Sequence, residues 1–127
     1  MTSEEKRTLI KQYISAYNTF DIDTLMNLIH PQVSFSNVSG GKVNAEAQGL
    51  EAFRALAEKS RNLFSSRSQA ITSYLFNGDN AVVGIDYDGV LAQDLPTGQK
   101  AGEHLHLTGK TEFNFEGGKL KRIVDYS

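Results

Sequence analysis

Residues 66–126 form a succession of β-rich runs cut by two-residue turns, and this constrains the fold more than any other feature of the chain. The runs SRSQAITSYLF (66–76) and AVVGIDYDGVLAQ (81–93) flank Asn77-Gly78, while EHLHLTGKTEFNFE (103–116) and KLKRIVDY (119–126) flank Gly117-Gly118. Asn-Gly and Gly-Gly reach the positive φ that tight hairpins require, so each pair reads as two antiparallel strands. A third turn, LPTGQKAG (95–102), joins the two pairs. Four long strands in a row make a sheet, and the sheet needs something to cover it.

The first half of the chain supplies the cover. Leu9, Ile10, Tyr13, Ile14 and Tyr17 recur in steps of one, three and four, and Thr2 or Ser3 before glutamates signals a helix start, which predicts a helix over 4–19. A short second helix is expected over 21–29, with Asp21 or Asp23 as cap and Pro31 disfavouring helix at the residue before it. The alternation in VSFSNV (33–38) gives a strand with Val33, Phe35 and Asn37 on one face. Gly40-Gly41 then turns into a short strand carrying Val43, Ala45 and Ala47. Leu50, Phe53, Leu56, Ala57, Ser60 and Phe64 lie at helical spacing after Gly49 and give a third helix. Helix, helix, short strands, helix, then four long strands is an α+β layout with the helices on one face of a curved sheet.

Composition narrows the function classes. A chain of 127 residues with 39% hydrophobic and 22% charged residues suits one globular domain, here 1–127. The net charge is −2 and the basic residues are scattered, which argues against a nucleic-acid surface. With no cysteine there is no disulfide, thiolate nucleophile or Cys-ligated zinc. No apolar run approaches the ~18 residues that span a bilayer, so no membrane role is expected, and the cytoplasm is the default location. No Ser/His/Asp signature, phosphate-binding loop or dinucleotide fingerprint is present, and SGG and EGG are turns.

The stretches YISAYNTFDIDTLMNLIHPQVSF, GLEAFRAL and TEFNFEGGKLKRIVDY, in this element order, resemble the nuclear transport factor 2-like superfamily and, within it, the SnoaL-like and ketosteroid-isomerase-like small domains. The resemblance covers essentially the whole chain. It implies a conical half-barrel, a cystatin-like α+β roll in which three helices and a strongly curved, mainly antiparallel sheet enclose an apolar pocket, often in a homodimer. The superfamily includes isomerases, cyclases, hydrolases, transport factors and binding domains, so the fold alone does not assign a reaction.

Ketosteroid isomerase is the closest catalytic template. It holds an oxyanion with a tyrosine and a protonated acid while an aspartate moves the proton. Register through the first helix places Tyr13 on the tyrosine. The same register places Asn37 on the proton-moving aspartate, and matching EFNFEGGK near the other end of the chain places Thr111 on the second acid. A positioned proton carrier contributes ~10²- to 10⁴-fold, so these two departures exclude a true ketosteroid isomerase.

Asp125 replaces the missing base in this reading. Alternation in the last strand is ambiguous, since Leu120, Val124 and Tyr126 share one parity and Ile123, Asp125 and Ser127 the other. The isomerase register turns the second set toward the pocket, and some SnoaL-like cyclases resemble this in carrying a late acid/base aspartate. Otherwise Asp125 is a surface carboxylate paired with Lys121 or Arg122.

The catalytic candidates are therefore Asp125 as base, with Tyr13 or Asn37 on the oxyanion. The ligand-binding candidates are Tyr17, Phe35, Phe53, Thr111, Phe113 and Ile123. Tyr13 is expected nearer the pocket and Tyr17 nearer the core. His104 and His106 fall on the charged parity of their strand, an outer-face pair opposite Asp86 and Asp88, unless a bulge near Gly109 turns them inward. No metal and no cofactor are expected. The implied ligand is a small apolar molecule and the implied chemistry is isomerase- or aldol-cyclase-type proton transfer on a carbonyl compound. The competing readings are a non-catalytic binding or dimerisation module and, against the charged outer parity, a transport-factor-like adaptor.

Overall fold

Thr2 closes the start of the first helix with a reciprocal pair of bonds. Glu5 N donates to Thr2 Oγ1 at 3.1 Å and Thr2 N donates to Glu5 Oε1 at 2.8 Å, which satisfies two of the donors a helix leaves open. The computed structural model describes residues 1–96 and 98–127. Helix α1 spans Ser3–Asn18, and Leu9, Ile10, Tyr13 and Ile14 are its buried face. Asp21 caps α2 (Ile22–Leu28) by accepting from Thr24 N at 3.2 Å.

The first strand, β1, runs over Ile29–Ser39, longer than the 33–38 expected. Its pairing with the last strand is interrupted between Ile29 and Ser34, and Pro31, which lacks an amide proton, sits in that gap. Strand β2 covers Lys42–Gln48 and helix α3 covers Leu50–Arg61. The helix expected to reach residue 64 stops at Arg61, because Phe64 already pairs with Leu91 at the start of β3 (Phe64–Asn77). β4 (Asn80–Leu91), β5 (His104–Glu116) and β6 (Lys119–Tyr126) complete the chain. The turn expected at 95–102 includes Thr97, which lies outside the described residues.

The strands form one six-stranded sheet in the order β2-β1-β6-β5-β4-β3, antiparallel except for the β1/β6 pair. β1 and β6 come from opposite ends of the chain, so this parallel pairing unites the N-terminal elements with the C-terminal hairpin. The sheet is not closed, and the three helices lie against it as an α+β roll. Ile10, Leu25, Ile29, Val33, Val83, Phe113, Leu120 and Ile123 are fully buried where helices and sheet meet. Burying a side chain of this kind is worth about 1.5–3 kcal/mol, so the helix stripe and the inner sheet face hold each other.

A bulge resolves the ambiguous alternation of β6. Phe115 pairs with Leu120 but Asn114 with Arg122, leaving Lys121 as the extra residue. An extra residue reverses the parity beyond it, so Leu120, Ile123 and Asp125 all share the inner face. The β4/β5 register, in contrast, is continuous from Asn80↔Asn114 to Val90↔His104, so no bulge at Gly109 turns the histidines inward.

Candidate functional site

Asp125 lies on one rung of the sheet with two of the other candidates. Asn37 of β1 pairs with Asp125 of β6, which pairs with Thr111 of β5. Residues on one rung project from the same face of the sheet. Thr111 Oγ1 donates to Asp125 Oδ1 at 2.7 Å. Burial pushes the Asp125 carboxyl up to about 6, with the Thr111 bond pulling the other way. Lys121 and Arg122 are engaged elsewhere, Lys121 with Gln32 and Glu116 and Arg122 with Glu112, so the surface ion pair considered from the sequence does not form.

The rung opens into a cavity of about 350 Å³ between the helices and the sheet. That volume is at the lower end of the ~300–1,000 Å³ typical of small-molecule sites. Tyr13, Tyr17 and Leu25 come from α1 and α2, Phe53, Leu56 and Ala57 from α3, and Phe35 and Asn37 from β1. A second hollow shares Tyr17, Asn37, Leu63 and Asp125 and continues toward Leu105, Leu107 and Thr111. Asp125 is therefore reached from both sides.

Tyr13 is the deeper of the two α1 tyrosines, 5% exposed, and Tyr17 is half-buried, the reverse of the order expected from the sequence. The first residue of the pair meets the sheet squarely, and its ring packs edge-on against Phe113 at 5.6 Å. Its hydroxyl has no protein partner among the described residues, and burial together with the Asp125 charge holds that phenol well above its ordinary range. It remains a neutral donor. Tyr17 places its hydroxyl 3.1 Å from that of Tyr87, and burial raises both phenols. Phe35 and Phe53 meet edge-on at 5.7 Å on the opposite wall. The Asn37 amide also lacks a protein partner among the described residues.

Phe113 and Ile123, expected to touch ligand, do not line the cavity. They pair across β5/β6 two rungs from Thr111 and Asp125, and both are completely covered by the core. Side-chain parity places a residue on a face of a sheet but leaves open how far along that face the helices cover it.

His104 and His106 stand on the outer face, exposed, with His104 Nε2 3.1 Å and His106 Nδ1 2.9 Å from the same Asp88 oxygen. The Asp88 carboxylate raises His106, and the two imidazoles lower Asp88. Among the described residues no three His, Asp or Glu side chains form a set that could hold a metal ion.

Several wall residues were not among the candidates read from the sequence, Asn44, Lys59, Leu63 and Arg67 among them. Arg67 of β3 is 5% exposed and lines the cavity, with its guanidinium 3.7 Å from the Tyr17 ring centre. It sits among Ser65, Ser66 and Ser68, where nothing suggests burial. Its shared parity with Ile71 was the one available signal.

This geometry can be set beside known proteins. The model of the SnoaL-like domain matches residues 10–123. The chain belongs to the SnoaL-like domain family. No curated protein sequence matches it. Its fold resembles that of a hypothetical protein with a ketosteroid isomerase-like fold from Catenulispora acidiphila, solved with trimethylamine, at 15% identity and TM-score 0.78 over 94% of this chain and 84% of that one. A candidate polyketide cyclase from Xanthomonas campestris pv. campestris superposes with TM-score 0.81 at 19% identity, covering 98% of this chain and 90% of the other. TerC, co-crystallized with polyporic acid, gives 0.75 at 17% identity over 95% and 89%. At these identities the likeness establishes the SnoaL-like, ketosteroid isomerase-like fold. No described helix of this SnoaL-like chain is long and apolar enough to cross a membrane.

Proposed function

We propose that this SnoaL-like domain encloses a small, largely apolar carbonyl compound and moves a proton on it, with Asp125 as base. Tyr13 and Asn37 hold the oxyanion that develops as the proton leaves. The observation that carries this reading is the placement of Asp125, a half-buried carboxyl at about 6 that opens into an apolar cavity and is oriented by Thr111. A base whose carboxyl sits near the working pH combines a large ionised fraction with useful basicity. The Tyr13 hydroxyl and the Asn37 amide, both without a protein partner among the described residues, are neutral donors on the same cavity, suited to a charge that appears only during reaction. Removal of a proton next to a carbonyl by Asp125 leaves an enolate on the oxygen, and return of the proton at another carbon is an isomerisation. Attack of the enolate carbon on a second carbonyl is an aldol closure. The small molecules carried by two solved neighbours, trimethylamine and polyporic acid, support an enclosed ligand.

The test is exchange of carbonyl-adjacent protons in deuterated buffer at pH 7.5, followed by NMR for 2-tetralone and 1-phenylbutane-1,3-dione. The parent protein should accelerate exchange over buffer, and Asp125→Asn should lose ~10²- to 10⁴-fold of that acceleration. Equal rates for parent and variant would remove Asp125 from the base role, and a parent no faster than buffer counts against the reaction class.

A further inference from the structure

Two cations among the described residues are buried, and they are satisfied differently. Lys6 donates to the Gly78 carbonyl and lies over the Phe115 ring. Arg67 has no carboxylate partner among the described residues. Its Nε donates to the Tyr17 carbonyl at 3.1 Å and its Nη1 to Ser60 Oγ at 3.2 Å. A guanidinium carries five N–H donors in a rigid fork, so most of this one remains unpaired. The only fully covered side-chain polar atom without a partner among the described residues is the Tyr74 hydroxyl, so the remaining Arg67 nitrogen, Nη2, keeps open surface. Arg67 is also part of the cavity wall.

The protein also holds this cation firmly. Its guanidinium lies over the Tyr17 ring at 3.7 Å and over the Phe20 ring at 4.4 Å. Phe20 has φ +57°, the one non-glycine residue at positive φ among the described residues, in the turn between α1 and α2. A bulky side chain in that conformation is strained and persists only where the surroundings impose it. Nearby, Asn18 bonds to both the carbonyl and the amide of Gln69 at 3.1 and 2.7 Å, tying the end of α1 to β3 two residues beyond Arg67. Aromatic faces attract a cation but do not replace an anion, and a buried charge without a counter-ion is costly. The cavity wall adds Lys59 as a second cation and, among the described residues, Asp125 as its only carboxylate.

We infer that Arg67 is an anion subsite of the cavity, and that the compound taken is a compact, largely apolar acid whose carboxylate docks on the free edge of the Arg67 guanidinium. The assignment of Asp125 as base still rests on the reading above, but the subsite does not depend on it. A carboxylate held by a charge-assisted bond at one end of the cavity would fix which carbon of a keto acid reaches Asp125. The specificity of the site would then be for acids over their neutral amides and esters.

The experiment is a binding titration by NMR at pH 7.5 with benzoate, phenylacetate and 3-phenylpropanoate, each against its primary amide. It uses the parent protein, Asp125→Asn, Arg67→Gln and Lys59→Gln, all checked for folding by thermal melting. The parent and Asp125→Asn should bind at least one acid about tenfold or more tighter than its amide. Arg67→Gln should lose that preference while still binding the amide, and Lys59→Gln should keep it. Equal binding of acids and amides by the parent, no binding of either, or a preference that survives in Arg67→Gln or vanishes in Lys59→Gln would overturn the assignment. If Arg67→Gln does not fold, the parent and Lys59→Gln still decide it. Acid binding that is intact in Asp125→Asn while the parent shows no proton exchange would sink the catalytic reading and leave the subsite standing.

Discussion

Asp125→Asn should stabilise the fold, and by an amount that depends on pH. The carboxyl moves from an ordinary 3.8 in the unfolded chain to about 6 in the folded protein, because burial disfavours the ionised form. One pH unit of difference corresponds to ~1.4 kcal/mol, so the ionised Asp125 costs the fold up to about 3 kcal/mol. Water entering the cavity screens the charge and makes that figure an upper bound.

The sign follows from proton counting. Between about pH 4 and pH 6 the folded state holds a proton that the unfolded state has released, so the parent loses stability as pH rises through this window and levels off above it. Asparagine keeps the shape and still accepts from Thr111, but carries no charge at any pH. Urea unfolding of parent and variant at half-unit steps from pH 4 to 8 measures the effect, and all other titrating groups cancel in the difference. The two proteins should be nearly equal at pH 4, and the variant should lead by about 2–3 kcal/mol at pH 8. A difference that stays constant across the range, or that favours the parent at high pH, would refute a buried carboxyl with a raised value. The same titration predicts that any proton transfer by Asp125 accelerates as pH rises through about 6.

Three other outcomes are expected. Thr111→Val removes the bond that favours the ionised carboxylate, so the Asp125 carboxyl should titrate above its parental value when followed by carbon-13 NMR, and an unchanged or lower midpoint would show that the bond does not hold the charge. At Gly109 a Cβ would stand 2.1 Å from the Tyr126 carbonyl oxygen, so Gly109→Ala should cost about 1–3 kcal/mol or more in a melting experiment, where a strand glycine replaced by alanine ordinarily gains stability. Asp88→Asn should let His106 fall toward its ordinary value in an NMR titration, and a His106 midpoint that does not move would break the outer-face cluster.

Much of this protein was legible before any coordinate. Periodicity marked the buried stripe of α1, the two hairpin turns named the four long strands, and the order of elements pointed to the α+β roll. These signals are local, since a 3.6-residue or two-residue repeat and a glycine turn are properties of neighbouring residues. Motifs along the whole length also carried the resemblance to SnoaL-like domains. Parity turned Asn37 inward, while for Asp125 the alternation was ambiguous and only the register implied by the resemblance pointed to the cavity that both residues line.

What stayed hidden depends on contacts between distant segments. The side-chain direction of β6 turned on a bulge at Lys121, which is defined only by its partners across β5 and has no mark in KLKRIVDY. The depth of Phe113 and Ile123, and the exchange of depth between Tyr13 and Tyr17, came from where the helices settle on the sheet. Arg67 shows the limit most clearly. In sequence it is an arginine among serines, and only the approach of Tyr17, Phe20 and Ser60 from elsewhere in the chain makes it a buried cation. Local patterning decided the elements and their faces, whereas the depth, charge and free donors of the cavity were decided by tertiary packing, because burial and desolvation depend on neighbours remote in sequence.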